Sequence, residues 1–463
     1  LAWGFGQDFY KLWNFLKFHL SLLVGFRDKL AGELLVFAFL ALVVLTFFLM
    51  WHVKSSITPS FRKHYVLFST AIVVLGVAAV LVYTVDNFYH GQVDMPGDAQ
   101  YYYEGALSYL LTGETQTYYP NYEKFLAAFL MFGDPILARL AQLMLFLCLY
   151  ALSIRALDWL RVSQNGLIYF STFTTLSGIY YGTLVVFTRD FLVLFAYAFA
   201  FFVLVWYYAQ AEARRRAPNA RLLFLIVLVA LWLDSLGHWL IYPLIAGVLG
   251  ELLVAYFKKK VNWRLALVGI VVVVIFLVHG GFYEIQRLYQ VNVVEAVLLE
   301  AEGEMLGIEQ TRSLLDPFAA LLGPGLIRPL FPSEYFLVWI PSHAAFYWWG
   351  TLFWYANLIV SVPLLLRKPL AFMEKRGTVF ALLVFLFLVV AYTLAFGSGM
   401  GMRKRMMFHF FYTLFIAATY YTPLSAQKSE HVQRRVFPLP ASLVRLGVLL
   451  MLMVATIISV DWN

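Results

Sequence analysis

Long apolar runs alternate with short polar breaks along the whole chain. Roughly 20 apolar residues span a bilayer as a helix, and somewhat shorter runs do so when the flanks or the lipid adjust. On that measure the pattern predicts about twelve spans, near 30–53, 65–87, 136–154, 166–184, 189–210, 222–234, 239–257, 265–283, 344–366, 377–396, 406–422 and 443–460. The expected fold is all-α, a polytopic transmembrane helix bundle occupying 1–463 as one domain. No fixed-period repeat and no separate soluble domain interrupts it. The runs near 222–234 and 239–257 are short, which suggests half-length helices. Broken helices are tolerated in a membrane where they face protein or a water-filled cavity.

Composition agrees. Hydrophobic residues make up 62% of the 463 and charged residues 13%, against roughly 45–50% and 25% in soluble domains. That excludes a water-soluble enzyme, a disordered chain and a small disulfide scaffold. The lone Cys148 has no partner for an intrachain disulfide. Leu1 stands where an initiator Met is absent, so the natural start is expected to lie upstream. Residues 1–29 set Lys11, Lys17, Arg27 and Lys29 among Phe, Trp and Leu without a small-residue cleavage site. This reads as an interfacial amphipathic helix or as an extra span hidden in 10–28.

The net charge of +8 is read first as topology, because Lys and Arg gather in cytoplasmic loops. Lys54, Arg62 and Lys63 lie in one break, Arg214, Arg215, Arg216 and Arg221 in another, and Lys258, Lys259, Lys260 and Arg264 in a third. Arg367, Lys368, Lys375 and Arg376, then Lys428, Arg434, Arg435 and Arg445, follow. With the spans above, all of these fall on one side, taken as cytoplasmic. The two long loops, 88–124 and 284–343, fall on the other. From Asp86 to Glu123 there are six acids and no Lys or Arg; from Glu284 to His343 there are eight acids against Arg287, Arg312 and Arg328. Nothing here calls for a nucleic-acid partner.

Several ionisable residues then collect at the outer boundary, where charge at membrane depth is costly and needs pairing or a use. Gly97-Asp98 is expected to open an amphipathic helix, with Asp98 as N-cap. Tyr103, Ala106, Leu107, Leu110 and Leu111 would form its apolar face on the outer leaflet, and Gly113 its end. Asp98 reads either as a cap or as a general base at headgroup level, with Asp94 as the neighbouring alternative. Arg403-Lys404-Arg405, after the glycine-rich Gly397 to Gly401, suits a phosphate. A miscounted span would instead make it one more cytoplasmic anchor. Arg189-Asp190 reads as a self-neutralising pair or as Arg189 turned toward an anionic substrate. Asp234 and His238 sit i, i+4, as lining of a polar cavity or as two ligands of an incomplete metal site. Arg328, inside the proline-rich Gly323 to Pro332 stretch, reads as part of a rigid re-entry segment or as a further phosphate or sugar contact. His279, His343 and His409 show no ligand spacing and read as packing or interfacial residues. The many aromatics belong first to the membrane-interface belts.

Gly97-Asp98-Ala99 with Tyr102, Tyr103, Ala106, Leu110 and Gly113 resembles the first outer loop of GT-C-type membrane glycosyltransferases. Tyr119-Pro120, Tyr122, Ala127-Ala128, Phe132-Gly133-Asp134-Pro135 and Arg139 continue the likeness. Arg189-Asp190, Gly323 to Pro332 and Gly401 to Arg405 are similar in plan to the Wzy and EpsG type of surface-polysaccharide polymerases. The likeness runs in order over about 85–425, through short motifs. It implies a polyprenyl-phosphate-linked sugar donor at the outer face and a glycan, lipid or protein acceptor. It further implies Asp98 as the catalytic acid position and cell-surface glycan assembly in a bacterial or archaeal cytoplasmic membrane. Gly97 stands where a paired acid would sit, so no cofactor is required, and a divalent metal ion stays an open option. Membrane lipids and other membrane proteins are the expected partners. A lipid-linked-oligosaccharide flippase and a non-catalytic membrane subunit are the alternative readings.

Overall fold

The computed structural model describes residues 30–89, 98–114, 123–124, 126–127, 135–186, 189–214, 220–236, 240–257, 341–368, 370–375, 377–396 and 402–422, some helix residues by backbone alone. Among these the chain is all helical, with no strand. In order the helices are α1 Leu30–Ser56, α2 Pro59–Tyr89, α3 Asp98–Thr112, α4 Pro135–Trp159, α5 Gln164–Thr175, α6 Gly178–Leu184 and α7 Asp190–Arg214. Then come α8 Ala220–Leu236, α9 Ile241–Phe257, α10 Pro341–Arg367, α11 Thr378–Phe396 and α12 Met402–Tyr420. A 3-10 turn, Ala371–Glu374, joins α10 to α11. Helices occupy ten of the expected span positions; 265–283 and 443–460 lie outside the described residues, as do residues 1–29. Among the described residues four segments are long and apolar enough to cross a membrane: Pro59–Val85, Ile136–Trp159, Asp190–Ala209 and Trp349–Arg367. The expected single span 166–184 is two helices. Ser163 caps α5 by accepting from the Gly166 amide, and the run breaks at Leu176–Ser177 without a proline.

The break follows from close packing. A Cβ on Gly178 would lie 2.3 Å from the Phe346 carbonyl oxygen, and one on Gly350 would lie 2.6 Å from the Ile179 nitrogen. Small residues thus let the backbones of α6 and α10 touch, as apolar solvent favours. Helices α4 and α7 form the centre, each 72% buried over its apolar window against 39% for α2 and α10. Polar side chains stitch the interior: Tyr169 donates to Asn357, Asn357 to Thr413 at 2.8 Å, and Ser361 shares a 2.6 Å bond with Tyr412. On the outside, Phe47, Phe48 and Trp51 of α1 and Leu67 and Val74 of α2 are more than half exposed. Such an apolar surface fits contact with lipid.

Side-chain contacts identify the two ends of the bundle. At one, Arg155 near the end of α4 donates to the Ser56 carbonyl at 2.7 Å and Arg62 to that of Ser55 at 3.1 Å. There too the Ser163 amide reaches Tyr421, Lys375 reaches Thr422, and the Tyr420 hydroxyl reaches Lys368. The basic breaks carrying Lys54, Lys63, Arg367 and Lys368 share this end, as the charge pattern predicts. The other end, where α2 finishes and α4 begins, holds α3.

Candidate functional site at the α3 end

Helix α3 begins at Asp98 and finishes as expected. Gly113 takes φ +77, and its amide bonds the Tyr109 carbonyl at 2.9 Å, the left-handed cap that glycine adopts without penalty. Its packed face agrees with expectation in part. Tyr102, Gly105 and Ala106 are buried, and Tyr102 and Ala106 join the main core, whereas Leu111 is 86% exposed. Of the expected face Ala106 is thus in the core, Tyr103 and Leu110 pack against it and Leu111 is left out, so the packed stripe extends toward Tyr102 and Gly105 and α3 rests on protein with it.

Arg139, four residues into α4, is the most deeply placed cation described, 2% exposed. Its Nε donates to the Val185 carbonyl at 2.9 Å and its Nη1 to Thr84 Oγ1 at 3.0 Å. Its guanidinium carbon lies 4.8 Å from the centre of the Tyr83 ring, a cation–π distance. It thereby joins the start of α4 to the ends of α2 and α6. Gln142, one turn inward, and Glu123, between α3 and α4, are also fully buried. Sequence reasoning used Arg139 only as part of a motif and passed over Gln142 and the burial of Glu123. The available signal was an ionisable residue inside an apolar span.

Arg189 and Asp190 open α7 at this end. Asp190 is 8% exposed in the first helical turn, where the helix dipole favours a carboxylate. Arg189 donates to the carbonyl of Leu236, the last residue of α8, whose terminal carbonyls lack helical partners. The Tyr197 hydroxyl does the same for Leu240 before α9. The two bonds bracket the 234–240 connection, so the expectation that Arg189-Asp190 and Asp234 share one boundary holds for the backbone. The side chain of Asp234 is not described.

Helix α12 starts at Met402, so Arg403, Lys404 and Arg405 form its first turn. The Tyr197 and Phe411 rings are 6.0 Å apart, joining α7 to α12. Arg189 and Arg403 each lie eight residues outward from that contact, about 12 Å along parallel helices. The backbone therefore brings these two predicted cation positions to about the same height on neighbouring helices. Asp94, His238 and Arg328 lie outside the described residues, and the side chains of Asp98 and 403–405 are not described. His409 is a packing residue, as read from sequence. It is buried beside Trp354, with Nδ1 3.1 Å from the Tyr180 hydroxyl. No cluster of three metal-binding side chains exists among the described residues. No protein-family model, curated protein or solved structure matches the chain.

Proposed function

We propose that the chain is an integral-membrane glycosyltransferase of GT-C-like plan, crossing the membrane about twelve times, with its reaction centre at the α3 end. The reading is supported by one convergence. A helix starting with Asp98, the buried Arg139, and the cation-bearing starts of α7 and α12 share one end of the bundle, while the exposed basic breaks share the other. With the basic end cytoplasmic, the centre faces outward. The donor is a sugar on polyprenyl phosphate; the acceptor is a glycan, lipid or protein hydroxyl. The acceptor oxygen attacks the anomeric carbon and its proton passes to the Asp98 carboxylate. The bond from that carbon to the phosphate oxygen breaks. Polyprenyl phosphate leaves with added negative charge, which Arg403, Arg405 and Arg189 would stabilise. The product enters surface-glycan assembly by single transfer or by polymerisation.

The test is Asp98→Asn in the purified full chain, supplied with polyprenyl-phosphate-linked sugars. Sugar transfer should fall at least a hundredfold, the lower end for a general base, with the unfolding midpoint unchanged. Full activity would remove Asp98 from the chemistry. The broken α5–α6 pair favours a second reading, a lipid-linked-oligosaccharide flippase, because transporters use discontinuous helices. Translocation in proteoliposomes without any glycosidic bond formed would select it.

A further inference from the structure

Arg139 sits between two helix ends and holds both. Its Nη1 donates to Thr84 Oγ1 at 3.0 Å, five residues before α2 finishes at Tyr89. The Thr84 hydroxyl itself donates to the Val80 carbonyl at 2.6 Å, which leaves an oxygen lone pair for the arginine. The arginine Nε donates at 2.9 Å to the carbonyl of Val185, which follows the last residue of α6. The Val185 amide bonds back to the Tyr181 carbonyl at 3.2 Å, whereas its own carbonyl has no further helical turn to accept from. One planar guanidinium thus ties α2 to the end of α6, and an ammonium cannot copy that fork.

Both tied ends lead to residues of the proposed reaction centre. Beyond α2 the chain reaches Asp98, the first residue of α3, through 90–97. Four residues beyond Val185 is Arg189, whose carbonyl accepts from the Val193 amide at 3.0 Å as α7 begins. Arg189 repeats the device, donating to the Leu236 carbonyl at the end of α8. Two arginines in series therefore occupy the carbonyl ends of α6 and α8, on either side of the start of α7. Arg139 itself is closed to a substrate phosphate. It is 2% exposed, its Nε and Nη1 are engaged, and the Tyr83 ring lies 4.8 Å from its guanidinium carbon.

We propose that Arg139 is a positioning residue, a strut that fixes the arm running from α2 to Asp98 relative to the arm running from α6 to Arg189. The proposal rests on the glycosyltransferase reading and adds how the spacing of its two arms is set. A displacement of about 1 Å caused far from the chemistry costs up to about a hundredfold in rate. The strut touches neither donor nor acceptor, so its loss is read in kcat and not in the donor KM.

The experiment compares Thr84→Val, Thr84→Ser and Arg139→Lys in the purified full chain, with kcat taken per folded molecule. Valine keeps the branched shape and removes the acceptor; serine keeps the acceptor. Thr84→Val and Arg139→Lys should lower kcat for sugar transfer roughly tenfold to a hundredfold at unchanged donor KM, and Thr84→Ser should retain it. Unaltered kcat in Thr84→Val, whatever its stability, makes the contact purely structural and overturns the proposal. A raised KM at unaltered kcat overturns it too, by placing Arg139 in donor binding. Spin labels attached through Val82→Cys on α2 and Leu231→Cys on α8, where the native residues are 50% and 41% exposed, read the spacing without any chemistry. Their distance distribution should shift or broaden in Thr84→Val and Arg139→Lys and hold in Thr84→Ser; an unmoved distribution overturns the strut. If the labels move but the unaltered chain transfers no sugar, the strut stands and the glycosyltransferase reading falls.

Discussion

The two ends of the bundle both carry Arg and acidic side chains, yet they bury them very differently. At the basic end Arg155 and Asp158 pair at 2.7 Å with 19% and 13% of their side chains still in contact with solvent. Arg62 reaches Ser55 on the exposed surface. At the α3 end Arg139, Glu123 and Asp190 are 2%, 0% and 8% exposed. Hydrated charges cost little, and they suffice to orient a membrane protein. Buried charges carry desolvation costs of several kcal/mol each, and a membrane core offers no water to relieve them. Of the three, Arg139 is tied to helix ends by named hydrogen bonds; a further buried acid, Glu251, 4% exposed, lies toward the other end, where the Tyr208 hydroxyl donates to it. The comparison therefore directs the functional reading to the α3 end.

The sharpest way to break this contrast is Arg139→Ala. Truncation strips the Val185 carbonyl and Thr84 Oγ1 of a charged donor and opens a space against Tyr83. Leaving a buried acceptor without its donor costs about 1–3 kcal/mol for each group. Unfolding of the detergent-solubilised chain should report that loss, with Arg139→Lys falling between, since an ammonium cannot copy the planar fork. A loss below about 1 kcal/mol would mean that Arg139 behaves like a surface charge, and the two ends would then not differ.

Much of the bundle was legible because periodicity hardly matters in lipid: an uninterrupted apolar run already specifies a helix. That is why α1, α2, α7 and α11 fall where the runs lie. Charge placement was legible for a related reason, since Lys and Arg in short breaks report one side. Tertiary contacts were less so. The α5–α6 break arises because α6 must meet the backbone of α10 at Gly178 and Gly350, and no proline announces it. The face of α3 was legible at Tyr103, Ala106 and Leu110, which lie in or against the core, but not at its edges, where Tyr102 is more deeply buried than Tyr103 and Leu111 is exposed. Arg139 went unweighed as a site residue because one cation within a long apolar run hardly changes mean hydropathy.

The α6–α10 contact tests whether tight apolar packing, rather than charge, holds the centre between the two ends. Gly350→Ala would set a methyl 2.6 Å from the backbone nitrogen of Ile179, and backbone cannot turn aside as a flexible side chain does. Overpacking of this kind costs about 1–3 kcal/mol. The variant should unfold at lower denaturant, and Gly178→Ala should do the same through Phe346. If both are neutral, α6 can slide on α10 and the break is not fixed by this approach.

The smallest effect is expected at the basic end, from Arg155→Ala. Arg155 donates to Asp158 and to the Ser56 carbonyl, and its guanidinium lies 4.8 Å from the Trp159 ring. These are more contacts than a typical surface pair makes, but water reaches both charges. Asp158 also keeps the Thr58 amide and hydroxyl as donors, at 3.4 and 3.3 Å, after the arginine is gone. A partly hydrated pair with such reserves contributes under about 1 kcal/mol, and raising the salt should shrink the difference from the unaltered chain. The Arg139→Ala deficit should hardly respond to salt, because buried charges are screened much less. The same unfolding assay run at low and high ionic strength on both variants compares the two ends directly. Equal losses with equal salt dependence would show that burial does not separate them.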